Sequence, residues 1–194
     1  MMQTSADDPS RGPVPPAAPG SLVPDTKDWT WTLHRPCPEC GFEAASVPSA
    51  DIATRVTAST DPWPRVLASP HAKERPDPAT WSPLEYGCHV RDVCHLFEQR
   101  VRLMLTQEAP AFENWDQDET AVAQRYGEQE PAVVAREVVE AAAGLAGTYA
   151  AVPDDAWGRT GLRSDGSEFT VLTLGQYALH DLVHHLRDVG VPAP

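Results

Sequence analysis

Four stretches of the chain repeat apolar residues at helical spacing, and the helix signals at their ends fix their limits. Residues 83–107 carry Val93, Leu96, Phe97 and Met104 on one face. Ser82, Pro83 and Glu85 stand at its start as N-cap, first residue and third residue, the pattern of a capping box. Residues 131–152 open on Pro131 and run through an Ala/Val body, weakened by Gly144 and Gly147 unless a neighbour packs close there. Residues 174–189 are predicted as a third helix, N-capped by Thr173 and stopped by Gly190. Residues 49–68, with Ser49 as N-cap and Ile52, Val56, Val66 and Leu67 apolar, form a fourth, which Pro62 and Pro64 must kink or split. Asp61-Pro62 suits the start of its second half.

The segments between and before these helices read differently. Trp29, Trp31 and Leu33 alternate, which predicts a short extended segment over 29–48 with a CPEC turn. Residues 1–28 hold six prolines without periodicity and are predicted to be a disordered extension. Residues 108–130 form a long acidic loop. Ser164-Asp165-Gly166 reads as a turn, with Phe169, Val171 and Leu172 extended after it. Four helices with little strand imply an all-α four-helix bundle over residues 49–190, with a short extended N-terminal segment.

Composition narrows the partners. The 194 residues carry a net charge of −13, and residues 108–155 hold 11 acids against two bases. Without a basic cluster, neither nucleic acid nor an anionic membrane is a plausible partner. No run of apolar residues is long enough to span a bilayer, and the first 24 residues lack the apolar core of a secretory signal. The expected setting is the cytoplasm, with the four cysteines reduced. A small-molecule substrate is the expected partner, and a homodimer stays open.

The histidines carry the chemistry. His180 and His184 are spaced i, i+4, so their rings lie about 40° apart on one helix face and can grip one metal ion. His89 shares the apolar face of the second helix and should point inward, whereas His95 should face water. Three neutral imidazoles would make a facial metal site. Asp181 and His185 form a competing i, i+4 pair about 100° around the helix, as supporting groups or as the true ligands. The bland alternative is a hydrogen-bonded core His89 and a solvated pair.

The segments WSPLEYGCHVRDV and YALHDLVHHLRDV resemble the DinB-like superfamily of bacterial four-helix proteins, also called the YfiT-like metal-dependent hydrolase group. The resemblance covers residues 49–190. It implies a divalent metal, zinc or nickel, held by one His on the second helix and an HxxxH pair on the last: here His89, His180 and His184. The segments PCPECGF, NWDQDETA and WGRTGLRSDG further resemble an actinobacterial branch. Related subfamilies use a low-molecular-weight thiol such as mycothiol or bacillithiol, which the metal ionises. The resemblance therefore implies a thiol transferase acting on an electrophile, a hydrolase that activates water at the same position, or a metal-binding module without turnover.

Cys37-Pro38-Glu39-Cys40-Gly41 resembles half of a zinc knuckle. Its readings are a second metal site completed by His34 and a distant ligand, a redox-active dithiol, or a plain turn. Cys88 and Cys94 read as buried apolar fillers. Arg159 and Arg163 are candidates for binding a carboxylate of substrate or thiol, against the blander reading that they pair with the abundant acids. Asp116, Asp118 and Glu119 could cap the metal pocket or simply be solvated. Trp81, Trp115 and Trp157 read as packing or lid residues.

Overall fold

The computed structural model describes residues 28–194, so the extension predicted for 1–28 lies almost wholly outside the described residues. Six helices follow in chain order: α1 Ile52–Thr60, α2 Trp63–Leu67, α3 Pro83–Thr106, α4 Gln117–Ala123, α5 Pro131–Ala150 and α6 Val171–Asp188. Three short strands, β1 Ala111–Phe112, β2 Thr160–Arg163 and β3 Glu168–Thr170, make one small sheet. The long helices form the bundle: α1 and α3 each pack against both α5 and α6. Its interior is closed by apolar side chains such as Val93, Met104, Val138, Leu145, Leu179 and Leu186, all fully buried.

The start of α3 is built as its sequence dictates. Ser82 Oγ accepts from the Glu85 backbone N–H at 3.3 Å, and Glu85 Oε2 accepts from the Ser82 N–H at 2.8 Å. Arg75 adds a two-pronged contact to the same carboxylate, with Nε 2.9 Å from Oε2. The helix predicted over 49–68 is split at Pro62, which precedes α2, whereas Pro64 lies in the first turn of α2; a 3-10 turn over Ser49–Asp51 leads into α1. Trp63, just after that break, is fully buried and anchors the split pair to the core.

Three expectations are corrected. Thr173 is not the N-cap of the last helix; α6 begins three residues earlier. Thr170 Oγ1 accepts from the Thr173 N–H at 3.1 Å, while Thr173 Oγ1 accepts from the Thr170 N–H at 2.8 Å. Either threonine could cap, and the reciprocal pair places Thr173 inside the first turn, so Val171 and Leu172 are helical and not extended. The acidic segment is not one loop, because Asp116 caps α4 through Oδ1 on the Glu119 N–H (2.8 Å). The segment at Trp29 is not extended: Thr30–Leu33 is a 3-10 turn, held by Asp28 Oδ1 on the Thr30 N–H (2.8 Å) and by Thr32 Oγ1 donating to the Trp29 carbonyl (2.8 Å). Such local bonds from short polar side chains outcompete the alternation of apolar residues.

The sheet positions the polar groups of one end of the bundle. β1 runs parallel to β2 with Phe112 opposite Arg163, and β2 pairs antiparallel with β3 through Gly161 and Phe169. Arg159 donates to the carbonyls of Met104 and Gln107, tying the entry of β2 to the last turn of α3.

Candidate metal centres

A cavity of about 770 Å³ opens at this end, walled by the N-terminal segment, α3, the α4 region, the hairpin and α6. Asp28, Glu39, Asp116 and Asp118 line it, and so do Arg100 and Arg163. Asp181, His185, His180 and His184 of α6 line it as well.

The structure does not gather His89, His180 and His184 into one group. Among the described residues the donor atoms fall into two clusters: His89, Asp181 and His185 in one, and Cys37, Cys40, His180 and His184 in the other. Within each, the donors lie within 4.8 Å of one another. The reason is helical phase. His180/His184 and Asp181/His185 are two i, i+4 pairs offset by one residue, roughly 100° apart around α6. Packing against α3 turns the Asp181/His185 edge toward His89 and leaves the other edge to the N-terminal segment. His34 is exposed and belongs to neither cluster.

In the first cluster, Asp181 Oδ1 lies 3.1 Å from His89 Nε2 and 3.4 Å from His185 Nε2. Two donors bound to one cation at about 2.1 Å, at octahedral to tetrahedral angles, stand roughly 3.0–3.4 Å apart, so these atoms suit a shared ion. Burial by itself pushes the Asp181 carboxyl up, but His89 and His185 together hold it well below the usual carboxylate range. His185 Nδ1 lies 2.9 Å from Asp188 Oδ2. An ionised carboxylate can only accept, so the ring donates from Nδ1 to Asp188 and its Nε2 is left facing Asp181. A proton on Nε2, or a metal ion between the two, makes that facing pair favourable. His89 is fully buried and its ring stacks on Trp115, with centroids 5.3 Å apart and planes 10° from parallel. Its Nδ1 meets no hydrogen-bond partner among the described residues, so the ring's polar contact is on the Asp181 side.

In the second cluster, Cys37 is buried and its Sγ lies 3.8 Å from His184 Nδ1. His184 Nε2 faces Glu39 Oε2 at 3.6 Å and Asp188 Oδ2 at 3.9 Å. Burial pushes His180 down to about 4 and the Cys40 thiol up to about 11. The Trp29 ring covers both histidines, at 5.6 and 5.3 Å between centroids.

The model of the DinB superfamily matches residues 53–189. The chain belongs to the DinB superfamily. Among solved structures, this DinB chain is similar to YfiT from Bacillus subtilis, described as a probable metal-dependent hydrolase with an unusual four-helix bundle topology. The two share 16% identity at a TM-score of 0.61, over 80% of this chain and 91% of that one, a likeness of fold. Among curated protein sequences none matches this DinB chain. No helix of its described residues is long and apolar enough to cross a membrane.

The remaining polar, aromatic and thiol side chains separate by position. Arg163 lines the cavity and is paired with Asp165 (Nε to Oδ2, 2.9 Å), which holds the Asp165 carboxyl down at about 2. Arg159 is spent on α3 carbonyls and does not line the cavity. Arg91 and Asp92 belong to a separate polar network with Gln124, Gln129 and Glu137. Trp157 stacks on Tyr149, whereas Trp81 packs beside His89. Cys88 and Cys94 are buried, and burial raises both thiols.

Two residues of the site were not singled out from the sequence. Asp188, three residues after His185, is a helical neighbour that spacing could have found. Arg100 gives no local signal. It is 4% exposed, donates to the Glu113 carbonyl at 2.7 Å and lies over the Phe97 and Phe112 rings, with Nε buried and unpartnered among the described residues. Burial, reinforced by Arg163, pulls its guanidinium down to about 10.

Proposed function

We propose that this DinB-superfamily chain is a metal-dependent enzyme of the cytoplasm that activates a nucleophile against a small substrate bearing an anionic group. The observation that carries the reading is the cluster of two imidazoles and one carboxylate beside a cavity of about 770 Å³, a set suited to zinc, nickel or ferrous iron. A divalent cation held by His89, Asp181 and His185 supplies Lewis acidity, which brings the proton loss of water or of a thiol toward neutral pH.

The chain's own residues do the rest. Asp181 stays ionised against burial because His89 and His185 face it. Asp188 fixes the ring proton of His185 on Nδ1 and keeps Nε2 available as a ligand. Trp115, stacked on His89, keeps water from the buried ring. Arg100 supplies the substrate preference. Among the described residues no carboxylate bonds this buried guanidinium and its Nε is unpartnered, which leaves a charge that an incoming anion offsets.

Water is the nucleophile of the first reading, which makes the protein a hydrolase. A small thiol such as mycothiol is the nucleophile of the second, favoured by the volume of the cavity, which has room for a co-substrate beside the substrate. Zinc- and nickel-loaded protein should be assayed on small acyl substrates with and without a carboxylate, each in the presence and absence of thiol. Turnover is expected to need metal, to fall about tenfold or more in Arg100→Met for the carboxylate substrates, and to vanish in His185→Ala. Turnover without thiol assigns hydrolysis; strict thiol dependence assigns transfer. Equal rates in wild type and His185→Ala overturn the assignment of the metal.

A further inference from the structure

We propose that Cys37, Cys40, His180 and His184 form a second metal centre, a closed structural zinc site that pins the N-terminal segment to α6. It is distinct from the centre at His89 and shares no donor with it.

The donor set is complete. All four donor atoms lie within 4.8 Å of one another, and Cys37 Sγ stands 3.8 Å from His184 Nδ1. In a tetrahedral zinc site with bonds of about 2.3 Å to sulfur and 2.0–2.1 Å to nitrogen, a sulfur and a nitrogen are roughly 3.5 Å apart. Four protein donors leave no open position, which is the mark of a structural site and not a catalytic one. Two thiolates also neutralise the doubly charged ion, so the filled site carries no net charge into its buried surroundings.

The local structure is shaped for it. The Gly41 N–H donates to the Cys37 carbonyl at 2.8 Å, and the Cys37 N–H to the Phe42 carbonyl at 2.9 Å, so the CPEC turn closes on itself. Gly41 has φ +73°, a backbone conformation that any side chain would strain. This turn brings both sulfurs to one side. His180 Nε2 is buried and has no hydrogen-bond partner among the described residues. Such an atom costs free energy unless something fills its lone-pair direction, and a cation does so. His184 places Nδ1 toward sulfur and Nε2 toward the carboxylates of Glu39 and Asp188, the outer contact that orients a ligating imidazole.

On binding, each cysteine gives its proton to solvent and each sulfur forms a bond to zinc. No electron is transferred. The competing state is a Cys37–Cys40 disulfide, which would need an oxidant and would leave His180 and His184 without the ion.

The test uses the full chain purified under reducing conditions. Zinc per chain is measured by elemental analysis, and the protein is also loaded with Co(II) alone and its absorption recorded. The expected wild-type result is about two ions per chain, together with an intense sulfur-to-cobalt charge-transfer band. Cys40→Ser and His180→Ala should each fall to about one ion, and Cys40→Ser should weaken the band. His185→Ala should also fall to about one ion yet keep the band, so loss of the His89 centre is distinguishable from loss of this one. Because the wild-type spectrum is itself decisive, misfolding of a variant does not shield the proposal. A cobalt-loaded wild type without the band, or thiols at Cys37 and Cys40 that alkylate at the same rate before and after chelation, overturns it.

Discussion

Removing the Asp188 carboxylate should weaken the His89 centre without removing any of its ligands. Asp188 Oδ2 accepts from His185 Nδ1 at 2.9 Å and its side chain is 17% exposed, so the bond is largely shielded from water. The carboxylate does two things: it selects the ring tautomer and, through its charge, makes Nε2 a stronger donor. Loss of such an outer partner costs about 10–100-fold in metal affinity, equivalent to roughly 1.4–2.7 kcal/mol. Asp188→Asn keeps an oxygen that can accept the Nδ1–H and loses only the charge, so about tenfold is expected. Asp188→Ala loses both and should approach about 100-fold. The contact to His184 Nε2 is longer, 3.9 Å, so the cysteine-containing site should change less. Competition against a chromophoric chelator measures the affinity of each centre, and the cobalt–sulfur band identifies which is which. If Asp188→Ala leaves the affinity of the His89 centre within about twofold of wild type, or weakens the sulfur site more, the role given to this carboxylate is wrong.

Two further outcomes concern stability. The Glu85 carboxyl is pushed up by burial but held below its ordinary value by Arg75 and Ser82; a depressed folded pKa gives stability that is full above the unfolded value of 4.5 and lost as pH falls through the folded one. Glu85→Gln should lower the melting temperature at neutral pH, by about 1–3 kcal/mol of stability, and flatten its fall in acid; an unchanged acid limb would contradict the pairing. Gly175→Ala would set a methyl group 2.9 Å from Tyr149 Cζ and 3.0 Å from Ile52 Cγ2, and overpacking of about 1–3 kcal/mol should outweigh the gain of about 1 kcal/mol in helix propensity. A higher melting temperature in that variant would show that the close approach of α6 to α5 and α1 can relax.

Much of the bundle was legible because its signals are local. The Ser82-Pro83-Glu85 start of α3 and the break at Pro62 act within one turn of chain, and the structure follows them, while Pro64 sits in the first turn of α2 without breaking it. Ambiguity entered where two residues could do the same job, as Thr170 and Thr173 do at the head of α6. The metal chemistry shows the same limit. Spacing identified both i, i+4 pairs of α6, but which pair meets His89 depends on how the helix is rotated against α3, a tertiary fact. His34 was attractive as a partner for the CPEC turn because it is near in sequence; the histidines that face the turn are on α6. Arg100 looked like any arginine in a long helix until the α3–sheet packing buried it.

The separation of 147 residues between Cys37 and His184 has a consequence for how the chain is made. At about 5–20 residues per second, a ribosome needs roughly 7–30 s to travel that distance. Throughout that interval the CPEC thiols are already synthesised while the histidines that face them are not, so no pairing with α6 can shelter them. Their fate is decided by whatever redox buffer and free metal they meet during synthesis, and the knuckle can be joined to α6 only after that helix has been made.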